Sequence, residues 1–98
     1  MDHVATIVAD IHATKPEALA VIAATLDAPV QGAHTAHAFV ALPHGGRVEV
    51  EIPKFGEAPP LAIDIHDPRG AAQARAAAQS LLDLLADATA WPLHHLHD

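Results

Sequence analysis

The tripeptide Asp-Ile-His stands twice in this chain, at residues 10–12 and 64–66, each time closing an apolar run and preceding an alanine-rich stretch. Placed in register, Val8 to Leu26 overlie Ala62 to Ser80. Lys15 falls on Arg69, and Ala18, Ala20, Ala23 and Ala24 fall on Ala72, Ala74, Ala77 and Ala78. In the first copy Ile7, Ala9 and Ile11 alternate with Thr6, Asp10 and His12, which is the period of a strand over residues 4–12. Thr14-Lys15-Pro16-Glu17 then has the form of a capping box with proline in the first turn. Leu19, Ile22, Ala23 and Leu26 follow at helical spacing, and Pro29 stops the helix. In the second copy Leu61, Ile63 and Ile65 alternate with Ala62, Asp64 and His66. Asp67 reads as an N-cap and Pro68 as a first helical residue. The helix is expected to reach about Asp87, with Ala74, Ala77, Leu81, Leu84, Leu85 and Ala88 turned inward. A strand-helix unit used twice constrains the fold more than any other feature of the sequence.

Between the copies, residues 35–42 predict a strand around Phe39, Val40 and Leu42, and Pro43-His44-Gly45-Gly46 predicts a turn. Arg47 to Ile52 predicts a strand with Val48, Val50 and Ile52 inward and Arg47, Glu49 and Glu51 outward. Residues 53–60, rich in proline and glycine, read as a loop. Trp91 reads as a lid on the core at the end of the second helix. Residues 90–98 read as a short edge strand or an ordered tail, since Pro92 confines a strand to an edge. The resulting order, β-α-β-β-β-α-(β), predicts a single α+β domain with ferredoxin-like two-layer architecture. Two helices would cover one face of an antiparallel or mixed sheet and leave the other open. The two strands that lead into the helices are expected to be central, adjacent and parallel.

Strand parity then makes a prediction about chemistry. If Ile7, Ile11, Ile63 and Ile65 face the helices, Asp10, His12, Asp64 and His66 point to the open face and converge near the ends of neighbouring strands. Glu49 and Glu51 join them by the same alternation, and His37 does so if Phe39 faces that side. Imidazole and carboxylate together suit a divalent metal such as Zn²⁺, Ni²⁺, Fe²⁺ or Mn²⁺. The expectation is a small ligand- or divalent-metal-binding accessory domain, working as a homodimer, with Asp10, His12, Asp64 and His66 as the metal site. Two alternatives stay open. One is a small enzyme using an Asp–His general base in a dimer cleft. The other is an acidic interaction or inhibitor module in which the face docks a protein partner.

Composition removes other classes. Twelve acidic residues against five basic ones give a formal charge of −7, which argues against nucleic acid and against an anionic membrane surface as partners. Without cysteine there is no thiolate metal site, disulfide or cysteine nucleophile. The apolar runs are shorter than a membrane span, and no basic-then-apolar leader opens the sequence, so a cytoplasmic location is the default expectation. Gly45-Gly46 precedes neither a lysine nor a helix, unlike a phosphate-cradling loop. Ser80, the single serine, falls inside the second helix and not on a nucleophile elbow. Nine histidines remain. His94, His95 and His97 form a second cluster with the character of a weak chelating tail.

Overall fold

The computed structural model describes residues 3–51 and 61–96. Its elements run β1 (His3–Ala9), α1 (Lys15–Leu26), β2 (Val30–Gln31), β3 (Phe39–Ala41), β4 (Arg47–Glu51), β5 (Leu61–Asp67), α2 (Ala71–Ala88) and β6 (Leu93–His95), with a 3₁₀ turn at Pro43–Gly45. The strands form one sheet in the order β2-β3-β4-β5-β1-β6, and every neighbouring pair is antiparallel. Ile52, residues 53–60 that the sequence reads as a loop, His97 and Asp98 lie outside the described residues.

The α+β class, the two helices and the antiparallel sheet agree with the sequence reading; the strand count and order do not. Val30–Gln31 forms an additional strand against Phe39 and Val40, too short to show any alternation. That strand reverses a parity. With three strands between the crossover and the second helix, the strand before α2 would run parallel to β1. The fourth strand adds one more turn of the chain, and β5 therefore runs antiparallel to β1.

Both helices lie on the same side of the sheet. α1 covers β2, β3 and β4, α2 covers β1 and β5, and the helices touch each other. One apolar cluster joins Ile7, Ala9, Val40, Val48, Val50, Leu61, Ile63 and Ile65 of the sheet to Ala18, Leu19, Ile22, Ala78, Leu81 and Leu85 of the helices. Each buried leucine or isoleucine contributes roughly 1.5–3 kcal/mol. The buried alanines at 18, 23, 74 and 78 let the helix backbones approach the sheet. α1 starts as expected: Thr14 Oγ1 accepts from the Glu17 N–H, and Glu17 Oε1 accepts from the Thr14 N–H, both at 3.2 Å. It ends on Asp27 in the left-handed conformation, φ 52°.

α2 departs from expectation at its start. Asp67 does not cap it. The helix begins at Ala71 after Gly70, which has φ 156° and offers no side-chain cap. Asp67 closes β5 on the helix-facing side and is buried, 2% exposed. A buried carboxylate needs partners, and Arg69 supplies them: its backbone N–H donates to Asp67 Oδ1 at 2.8 Å and its Nη2 reaches Oδ2 at 2.7 Å. The turn 67–70 that brings Arg69 back uses up the residues expected to form the first helical turn. The buried stripe also rotates. It is Ala74, Ala78, Leu81 and Leu85, while Leu84 is 45% exposed and Ala88 is exposed. The short last strand forms as an edge strand beside β1, directly after Pro92. Trp91 packs partly buried against the core.

Candidate functional site

The face away from the helices carries the alternate residues of the central strands, and the register places them in rows. Val4, His66 and Arg47 form one row across β1, β5 and β4; Thr6, Asp64 and Glu49 form the next. Thr6 Oγ1 donates to Asp64 Oδ1 at 2.7 Å. His66 Nε2 lies 3.0 Å from Glu49 Oε2, and Arg47 Nε lies 3.7 Å from the same oxygen. Asp64 Oδ2 and Glu49 Oε1 carry no hydrogen bond among the described residues.

The imidazole has a defined orientation. An ionised carboxylate only accepts, so His66 presents its N–H from Nε2 to Glu49. In the neutral ring the other nitrogen then keeps a bare lone pair. That nitrogen, Nδ1, is buried and has no hydrogen-bond partner among the described residues, and the side chain as a whole is 17% exposed. The turn before β4 closes over the same strand. A Cβ added at Gly46 would stand 2.9 Å from the His66 carbonyl oxygen, so only glycine permits that approach.

Of the four residues expected to form one site, two stand on this face and two do not. Asp64 and His66 are there, partly buried in β5. Asp10 and His12 lie beyond the end of β1 and are exposed. The Asp10 N–H donates to the Pro92 carbonyl at 3.0 Å. The repeat and the register together explain the separation. Val8 faces Ala62, and these same two residues are equivalent in the repeat, so an approximate two-fold axis passes between them. Equivalent residues further along move apart because the strands run in opposite directions. Asp10 is four positions from the residue that faces Asp64, a separation of about 13 Å along the strand, and His12 and His66 diverge further. The expected pairing of His12 with His66 and of Asp10 with Asp64 required parallel strands and is corrected by the antiparallel register.

Other expectations resolve residue by residue. Glu49 is part of the cluster, and Glu51 is on the same face opposite Ala62 but exposed. Phe39 faces this side, opposite Gln31, yet His37 is exposed ahead of β3 and does not join. The C-terminal histidines split between faces. His94 stands opposite Val8; His95 turns toward α2, its Nε2 2.9 Å from Gln79 Oε1. Among the described residues no three histidine, aspartate or glutamate side chains are arranged to hold a metal ion. Thr6 as a partner of Asp64 was not foreseen, because its strand neighbour depends on the strand order.

Asp67 and Arg69 form a second charged centre on the opposite side. The Arg69 guanidinium, followed by the Arg69 backbone N–H, holds the Asp67 carboxyl at about 2, down from an ordinary 3.8, against the opposing effect of burial. The same hydrogen bonds raise the Arg69 guanidinium above its usual range. This pair is built into the turn that leads to α2 and is structural.

Fold and site together define a class: a small α+β domain whose two helices cover one face of a six-stranded antiparallel sheet and whose other face holds a charged cluster around His66. No family model, curated protein or solved structure matches the chain. No helix among the described residues is long and apolar enough to cross a membrane.

Proposed function

We propose that this chain is a small accessory binding domain that takes a cation on its open sheet face, with Glu49 and Asp64 as the acceptors. The observation that carries the reading is that these two carboxylates stand directly opposite each other on β4 and β5. Like charges in that relation are destabilising. Here each also keeps one oxygen without a protein partner among the described residues, and a bound cation would relieve the repulsion. The part of the sheet formed by β4, β5, β1 and β6, with both helices, is read as a ferredoxin-like sandwich widened by β2 and β3, in which no described element covers this face. A divalent ion such as Zn²⁺, Ni²⁺, Fe²⁺ or Mn²⁺ would take the two carboxylates and complete its shell with water. An organic ammonium group would use the same acceptors.

The test is titration of untagged protein with MnCl₂, ZnCl₂ and NiCl₂, and separately with butylammonium chloride, followed by amide NMR. Binding at this site predicts Mn²⁺ broadening centred on residues 47–51 and 62–66, or butylammonium shifts in the same rows. Asp64→Asn with Glu49→Gln should abolish both, while Asp10→Asn with His12→Ala should leave them unchanged. Retention of all cation binding by the Asp64→Asn, Glu49→Gln protein overturns the proposal.

A second reading concerns His66 as a base. A carboxylate that holds one ring N–H and leaves the other nitrogen bare is the arrangement by which enzymes orient a general base. His66 has that arrangement with Glu49, although Nδ1 is covered. Carbethoxylation separates the two readings: a working base requires His66 to react as fast as exposed His12, whereas a binding role leaves it protected.

A further inference from the structure

Charge on the open face is arranged in two adjoining rows. Asp64 and Glu49 make one row anionic, and the next row pairs His66 with Arg47. Arg47 is the one side chain with a permanent positive charge on this face among the described residues. The rows are two residues apart, about 6.8 Å along the strands. Side chains of both rows reach solvent: exposure is 35% for Arg47, 25% for Glu49 and 17% for His66.

The contacts within the group use part of what each member can give. Glu49 answers both His66 and Arg47 with one oxygen, Oε2, at 3.0 and 3.7 Å. The second distance is that of a loose ion pair and not of a hydrogen bond. A guanidinium carries five N–H donors in a planar fork, enough for a second carboxylate beside the first. Asp64 gives Oδ1 to the Thr6 hydroxyl. A simple cation on Asp64 and Glu49 would draw nothing from Arg47 and would stand near a like charge. A ligand that carries its own carboxylate turns that repulsion into attraction.

We infer that the ligand of this face is a small zwitterion, an ω-amino acid. Its ammonium group takes Asp64 and Glu49, and its carboxylate lies along β4 on the Arg47 guanidinium. The inference rests on the cation reading above and narrows it. A carboxylate on a guanidinium makes a charge-assisted contact with bidentate geometry. Row spacing selects the length of the ligand. Both charged groups of an α-amino acid hang on one carbon and are too close to serve two rows. The three methylenes of 4-aminobutyrate span about one row spacing.

Amide NMR titration of untagged protein with 4-aminobutyrate, butylammonium chloride and glycine tests the inference, with MnCl₂ as the control for the acid pair. 4-Aminobutyrate should bind at least about tenfold more tightly than butylammonium or glycine, although the −7 net charge favours the ligand with the net positive charge. Arg47→Gln should remove that preference and leave butylammonium bound at least as tightly as in the parent, which also shows that the variant is folded. Arg47→Lys keeps the charge without the fork and should retain part of the preference. Suppose butylammonium or Mn²⁺ binds at residues 47–51 and 62–66, but 4-aminobutyrate binds no more tightly than butylammonium or glycine. The inference is then overturned and the cation reading stands. The same holds if Arg47→Gln keeps the preference for 4-aminobutyrate. If none of the four ligands binds there, both are overturned.

Discussion

His66 and Glu49, on adjacent strands, meet at 3.0 Å between Nε2 and Oε2, while the second nitrogen of the same imidazole is buried without a partner among the described residues. The histidine thus gains one hydrogen bond to a charged group and leaves one polar atom unanswered. The first is worth roughly 1.5–3 kcal/mol and the second costs roughly 1–3 kcal/mol, so the two nearly cancel. His66→Val should then change stability by less than about 1 kcal/mol, since it removes both effects and places a good strand residue in β5. Glu49→Ala strips the ring of its acceptor at a cost of about 1–2 kcal/mol, regains at most about 1 kcal/mol by relieving the repulsion with Asp64, and should be the less stable of the two variants. Urea unfolding of the two variants checks the order.

The Asp67–Arg69 pair predicts a pH dependence of definite sign. The Asp67 carboxyl binds its proton more weakly in the fold, at about 2, than its ordinary value of 3.8. Its contribution to stability is therefore complete above 3.8 and is lost as the pH falls toward 2. Asp67→Asn should be less stable than the parent at pH 6, and the gap should narrow as the pH falls through this window. Denaturant midpoints measured at several values between pH 6 and pH 2 decide it.

Gly70 predicts a backbone effect. At φ 156° it occupies a region that is essentially closed to residues with a Cβ. Gly70→Ala should destabilise by roughly 1–3 kcal/mol. A Cβ there would also meet Gln73 Oε1 at 2.6 Å, but that side chain is flexible. Gly70→Ala combined with Gln73→Ala should consequently recover little of the loss in thermal unfolding.

Adjacent leucines on α2 predict contrasting costs. Leu85 is fully buried and Leu84 is 45% exposed. Leu85→Ala should cost about 2–5 kcal/mol, and Leu84→Ala should cost well under half of that. Equal losses in equilibrium unfolding would show that the helix is rotated from the position described.

The sequence was informative wherever one residue pattern determined one local outcome. The capping box at Thr14 and Glu17, the alternation of β4 and β5, and the proline ahead of the last edge strand all belong to that kind. It was uninformative where an outcome depended on partners. Asp67 has the composition of an N-cap, but burial beside Arg69 sets its role instead. A two-residue strand at Val30–Gln31 leaves no periodic signal, yet it decides whether β5 runs with β1 or against it. The site inherits both properties. Parity alone places Asp64, His66 and Glu49 on one face. Only strand direction shows that Thr6, and neither Asp10 nor His12, stands among them.

The position of β1 also bears on how the chain reaches its native state. The first strand of this sheet in chain order lies between its last two, β5 and β6, and His3 pairs with Asp67, 64 positions on. A nascent chain that has emerged only as far as β4 holds a complete α1 but no partner for either side of β1. The central strand pairings therefore close late and across long loops, which slows folding. Until that moment β1 is an apolar strand with both edges unpaired, the kind of element that is prone to pair with the wrong chain.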